Sequence, residues 1–228
     1  MSKLNENLKE ILEKINKSSS FSSYEPDDIT LVTVTKNATT KQIKEAYELG
    51  LNDIGENKVQ KTLPLMNELE GFDINWHFIG HLQSNKVKYI IDKVRLIQSL
   101  DRLSLASEIN KRAKKLARKV DVLVQVNIAL EETKYGLAPE SVLNFVEEVI
   151  EKHPFIRIRG LMTIAPFDEN PESLRPYFAR MRQLFEETSE KFDFKDNFNI
   201  LSMGMSNDYH IALEEGSNMV RIGSALFK

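Results

Sequence analysis

The sequence predicts an α/β protein, a single (β/α)8 TIM-type barrel over residues 1–228 with an additional N-terminal helix. Three observations predict it. Eight short apolar runs alternate with helix-like segments. No glycine-rich nucleotide loop follows the first run, as an open doubly wound sheet would usually have, and neither GxGxxG nor the Walker A pattern occurs anywhere. No low-complexity linker or break in composition interrupts the alternation, so one domain is expected.

The elements follow in order. Leu4, Leu8, Ile11, Leu12 and Ile15 mark the opening amphipathic helix, and SSSFSSYEPDD ends it with loop-forming residues. The apolar runs then fall at 29–35, 53–56, 76–80, 95–100, 121–127, 158–165, 198–205 and 219–227. Between them TTKQIKEAYELG, DRLSLASEINKRAKKLARK, PESVLNFVEEVIEKH and the stretch from Pro171 to Lys191 read as helices. Thr39 or Thr40 caps the first of these and Gly50 ends it; Asp101 is the expected N-cap after the fourth run, and Pro139 suits a first helical turn. KRAKKLARK (111–119) packs six cations into nine positions. Ala113, Leu116, Ala117 and Val120 keep helical spacing there, so the cations form the wet face of a helix.

Composition narrows the function. A net charge of −3 argues against general nucleic-acid binding. The absence of cysteine removes disulfides, thiolate nucleophiles and cysteine–zinc sites, and does not conflict with a reducing compartment. No signal peptide and no bilayer-length apolar stretch is visible, so a cytoplasmic protein without a membrane partner is expected.

In a barrel, active residues stand at the C-terminal ends of strands. LVTVTK (31–36) ends there on Lys36, which shares a face with Val32 and Val34. A charge at a strand tip is also an ordinary solvated end. If the shared face is the interior, burial disfavours the ammonium and makes the amine a nucleophile suited to imine formation. Barrels often bind phosphate in the loops after strands seven and eight. Here those are SMGMSNDYHIALEEG and NMVRIGSALF, which offer Gly204, Ser206, Arg221, Gly223 and Ser224. Together they describe a ligand with an aldehyde at one end and a phosphate at the other; pyridoxal phosphate and a sugar-phosphate aldolase substrate both fit. A zinc site is not expected. His77 and His81 in WHFIGH lack the HExxH glutamate, and four strand residues separate the imidazoles by roughly 13 Å. His77 should be packed and His81 should lie in a loop. No GxSxG signal supports a serine triad.

The blocks LVTVTK, DIGENKVQ, WHFIGHLQSNK, SLDR, VQVNIALEETKYGL, RGLMTIAP, LSMGMSNDY and VRIGSALF occur in order over almost the whole chain from residue 31. In them the sequence resembles the YggS/PROSC-type pyridoxal-phosphate homeostasis family. The resemblance implies a barrel of the alanine-racemase N-terminal type that binds pyridoxal 5′-phosphate as an internal aldimine on Lys36. Ser206, Gly223 and Ser224 would hold the phosphate, and Arg221 would face the pyridine nitrogen and keep it unprotonated. Asn57 and His81 would line the pocket. Lys134, in ETKYG, matches a lysine recurrent in the family whose role stays open. One departure is Ala38, where many relatives carry a second lysine.

The resemblance also separates carrier from enzyme. Racemising and decarboxylating relatives have a second, β-rich domain that brings a second acid/base. This chain ends at Lys228, right after the eighth run, and Tyr135 and Tyr209 match no known catalytic tyrosine. The expectation is a pyridoxal-phosphate homeostasis and delivery protein without dedicated turnover, with no catalytic or metal-binding residue. It would be a monomer that contacts pyridoxal-phosphate-dependent apo-enzymes transiently. The alternative is a minimal pyridoxal-phosphate-dependent amino-acid racemase.

Overall fold

The computed structural model describes residues 2–22, 24–194 and 197–228. Eight parallel strands close on themselves in sequence order: β1 Thr30–Val34, β2 Asp53–Glu56, β3 Asn75–Phe78, β4 Leu96–Leu100, β5 Val120–Val126, β6 Ile156–Thr163, β7 Ile200–Met205 and β8 Met219–Ile222. Closure is made by β8 against β1, in a register that runs from Thr30 opposite Met219 to Thr33 opposite Ile222. The predicted barrel is therefore present, and so is the extra helix, α1 Lys3–Ser19. The helices that follow are α2 Thr40–Glu48, α3 Val59–Glu68, α4 Val87–Ile90, α5 Leu103–Lys115, α6 Val142–Lys152, α7 Arg175–Phe192, α8 Tyr209–Glu214 and α9 Ser224–Phe227.

Two layers of packing result. Inside the barrel, Val32, Leu96, Leu123, Met162 and Met219 form a small apolar cluster. Outside it, alternate strand residues such as Ile54, Val122 and Leu161 meet the inward stripes of the helices, for example Ile43, Ile109, Val146 and Phe178. The N-terminal helix buries Leu4, Leu8, Ile11 and Ile15 against Leu213, Val220, Ile222 and Leu226, and Asn7 Nδ2 donates to the Leu226 carbonyl at 3.0 Å. It thus covers the outside of the seam where the barrel closes. Leu12, expected on the same stripe, is exposed.

Several local expectations hold. Thr39 caps α2 in a complete capping box with Gln42, and Gly50 follows at a φ of +88°. Pro139 opens a 3-10 turn that leads into α6. The loop after α1 starts later than SSSFSSYEPDD suggests, because the helix runs through Ser19; Ser23 of that loop lies outside the described residues.

Three expectations are corrected. The helix over KRAKKLARK stops at Lys115. Ala117 turns the chain at a φ of +50°, Leu116 is exposed, and Val120 opens β5 instead of closing a helical stripe. Asp101 does not cap α5: Arg102 holds that position, without a side-chain cap, while the Asp101 carboxylate turns to neighbouring side chains. The run 219–227 is a strand only to Ile222, after which α9 begins. SALF is apolar throughout, and so short a run has no period that separates strand from helix.

Candidate functional site

The C-terminal mouth gathers the residues named from the sequence. β1 ends at Val34, and the turn that follows is closed by Ala38 N–H donating to the Thr35 carbonyl at 2.9 Å. Lys36 begins that turn and is exposed. The burial expected of its amine is therefore corrected. The inner apolar face carried by Val32 stops before Lys36, two residues past the strand, leaves the wall. Its carbonyl lies 3.5 Å from Lys61 Nζ.

Strand eight brings the other half of the mouth alongside. A Cβ on Gly223 would stand 2.9 Å from the Val34 carbonyl oxygen, so only a glycine lets the two chain ends approach this closely. Ser206, just past β7, accepts from the Gly223 and Ala225 amides through its Oγ, each at 3.2 Å. Ser224 between them is exposed. The Gly223 and Ala225 amides thus meet on the Ser206 hydroxyl at one corner, a group of donors that an incoming phosphate oxygen could engage in its place. Gly204, at a φ of +93°, bends β7 so closely over α8 that a Cβ would meet Tyr209 Cα at 2.9 Å.

Arg221 points inward and is 3% exposed. It donates to Ser202 Oγ at 2.7 Å and to the Thr163 carbonyl at 2.6 Å. Burial pulls the guanidinium down to about 10, against the opposing attraction of Asp208, so it remains a cation at neutral pH. Asp208 is itself buried, which pushes its carboxyl above the ordinary range, while its Oδ1 accepts from the Met205 amide at 2.5 Å. Sequence reasoning missed this counter-charge although it stands in the same SMGMSND block as Ser206.

The far rim joins three loops. His81 lies beyond β3, as expected of a loop residue, and stacks on Tyr135 with ring centroids 3.8 Å apart. Its Nδ1 is 3.4 Å from Asp101, which also pairs with Arg102 at 2.5 Å; Arg102 in turn donates to the Leu82 carbonyl at 2.6 Å. Asn57, half-buried after β2, faces Gly80 backbone to backbone, where a Cβ would come within 2.2 Å of the Asn57 oxygen. Lys134 ties two loops together: Nζ donates to the Ala165 carbonyl at 3.0 Å and pairs with Glu131. His77 is buried, as expected. Among the described residues no three His, Cys, Asp or Glu side chains converge as a metal would require.

Glu56, in the same block as Asn57, is a second missed feature. It is 2% exposed, its Oε1 accepts from Thr35 Oγ1 at 2.5 Å, and its Oε2 has no hydrogen-bond partner. Burial raises its carboxyl above the ordinary value, although Thr35, the Asn57 amide and Lys61 each oppose the shift. A raised native value means that the folded protein holds the proton more tightly than the unfolded chain. Ionised Glu56 therefore costs stability above the raised value, and the cost fades as pH falls towards the unfolded value. Glu56→Gln, which keeps the Oε1 acceptor, is expected to raise the thermal midpoint at about pH 8, with the gain shrinking towards about pH 5. Thermal unfolding across that range checks it.

Known proteins are similar to this chain over nearly its whole length. The family model described as alanine racemase, N-terminal domain, matches residues 28–228. A protein of Aquifex aeolicus (strain VF5) named pyridoxal phosphate homeostasis protein is 44% identical over 222 residues, which span 97% of this chain and 96% of that one. The structure of PipY from Synechococcus elongatus PCC7942, with PLP bound, superposes with a TM-score of 0.82 at 31% identity, covering 96% of this chain and 100% of that one. An alanine racemase of Clostridium difficile 630 shares the fold at a TM-score of 0.68 and 20% identity, over 94% of this chain and 55% of that one.

Proposed function

Because this chain belongs to the alanine racemase N-terminal domain family, we propose that it binds pyridoxal 5′-phosphate in the C-terminal mouth of the barrel. There it acts in pyridoxal-phosphate homeostasis, holding and releasing the cofactor without dedicated turnover. The observation that carries the reading is the meeting, at one mouth, of a strand-end lysine, a corner of amides and hydroxyls, and a buried cation.

When bound, the cofactor supplies an aldehyde that joins a lysine amine and a ring that can draw electrons. Lys36 offers the amine. Its exposure suits a carrier, since an amine at the surface can be reached for loading and for transfer. Ser206, Ser224 and the Gly223 amide hold the phosphate. Arg221, a buried cation, would meet the ring nitrogen, disfavour a proton there and so leave the ring a weak electron sink. Asn57 and His81 would wall the pocket, with the His81 ring held by its stacking on Tyr135. Delivery would be to apo-enzymes that use the cofactor, by transient contact of a monomer in the cytoplasm. Among the described residues no helix is long and apolar enough to cross a membrane.

The test is a titration of purified protein with pyridoxal phosphate, followed in the visible range, then borohydride reduction and peptide mapping. One equivalent should appear as a yellow chromophore and map to Lys36. No chromophore, or a label spread over other lysines, overturns the site. Sustained racemisation of an amino acid, read by chiral chromatography, overturns the carrier reading in favour of a minimal racemase.

A further inference from the structure

Arg221 is the first member of a hydrogen-bonded chain that crosses the barrel interior. It donates to Ser202 Oγ at 2.7 Å; Ser202 Oγ donates to Gln98 Oε1 at 2.7 Å; Gln98 Nε2 lies 3.1 Å from His77 Nδ1; and His77 Nε2 lies 2.8 Å from Asp53 Oδ1. Ser202, Gln98 and His77 are buried, and Asp53 alone reaches the surface. It does so at the opposite end of the barrel, where Asp53 and His77 line a cavity of about 520 Å³ together with Arg95, Arg118, Arg157 and Arg159.

The chemistry of the groups sets one direction. A guanidinium only donates, so Ser202 must accept from it and has a single proton to pass on, which goes to the amide oxygen of Gln98. The amide nitrogen can then only donate, which makes His77 Nδ1 the acceptor and places the imidazole proton on Nε2. Asp53, an acceptor when ionised, receives it. Each donor thus faces an acceptor, from a buried cation at one mouth to a carboxylate at the other, and each bond polarises the next. No member has freedom to turn alone: reversing the Gln98 amide would leave Ser202 accepting from both sides and require a second proton on His77.

We propose that Ser202, Gln98, His77 and Asp53 are positioning residues for Arg221, holding the orientation and charge with which it meets the cofactor ring. This rests on the reading of Arg221 as the neighbour of the ring nitrogen. Its consequence is that a substitution at the far mouth, outside the cofactor pocket, is felt at the cofactor. Val32, Leu96, Leu123 and Met162 fill the interior between the two mouths with apolar side chains, so the low-dielectric surroundings sustain the coupling along the chain.

The experiment compares wild type with Ser202→Ala, Gln98→Leu, Asp53→Asn and Asp53→Glu. Pyridoxal phosphate affinity and the position of the visible band are read for each, and the fold is checked by circular dichroism. Ser202→Ala and Gln98→Leu should weaken binding about three- to tenfold and move the band, as the loss of one buried hydrogen bond implies. Asp53→Asn, at the surface and isosteric, should move the band in the same direction by less, and Asp53→Glu should restore it. If the folded variants all keep the wild-type affinity and band, the proposal is overturned. If wild type shows no visible band, the cofactor reading fails, and nitrogen-15 resonances of His77 in the ligand-free protein decide the chain. A proton on Nε2 that shifts in Gln98→Leu upholds it, and a proton on Nδ1 overturns it.

Discussion

Lys36→Ala is expected to abolish the yellow chromophore and the borohydride-stable label while leaving the protein folded. The lysine side chain stands clear of the core in a turn beyond β1, so its removal should change stability by no more than about 0.5 kcal/mol. The phosphate corner at Ser206, Gly223 and Ser224 and the buried Arg221 remain, so pyridoxal phosphate should still bind without a covalent link. Affinity should fall by about 100-fold or more, a factor worth roughly 2.7 kcal/mol. An absorbance titration for the chromophore and calorimetry for the residual binding separate the two components. A variant that keeps the chromophore shifts the covalent site to another lysine. Lys61 is then the first to examine, since its Nζ lies 3.5 Å from the Lys36 carbonyl.

Gly160→Ala should be the most damaging conservative substitution in the barrel. Gly160 sits inside β6 at a φ of +150°, beside the irregularity in register between β5 and β6 at Val122 and Leu123. A Cβ built there would lie 1.8 Å from the Ile200 carbonyl oxygen, less than any non-bonded contact allows. The backbone conformation is strained for an L residue, and β6 and β7 would have to part at the Gly160–Ile200 pair. A loss on the order of 3 kcal/mol or more is expected, read from the urea midpoint. Strand seven also carries Ser202 and ends just before Ser206, so pyridoxal phosphate binding should weaken along with stability. A variant as stable as wild type would mean that the two strands can separate locally at little cost.

Much of the fold is legible in the sequence for a definite reason. Burial on two faces makes most of the barrel strands short, largely apolar runs, whereas each helix shows one stripe; the alternation of the two survives in the sequence as a count of eight. The mouth was legible because barrel topology places its residues at strand ends, and Lys36, Ser206, Arg221 and Gly223 can be located by counting. Where strand and helix patterns coincide, the sequence misleads: SALF continues a strand-like run but forms α9, and the cationic stretch keeps helical spacing although its helix ends at Lys115. Asp101 shows another limit. An aspartate before a helix reads as a cap, but here Arg102 takes its carboxylate in an ion pair.

By itself, then, the amino-acid order determined the closed (β/α)8 architecture, the helix that covers its seam and the set of residues around one mouth. It did so because local periodicity and chain topology are properties of neighbours along the chain. Tertiary structure alone decided that Lys36 emerges into solvent, that Glu56 and Asp208 are buried carboxylates, and that a polar chain joins Arg221 to Asp53 across the interior. Gln98 and Ser202 lie 104 residues apart and meet only when the barrel closes. Burial and hydrogen bonding at that separation depend on which strands face one another across the axis, a relation that no spacing along the chain encodes.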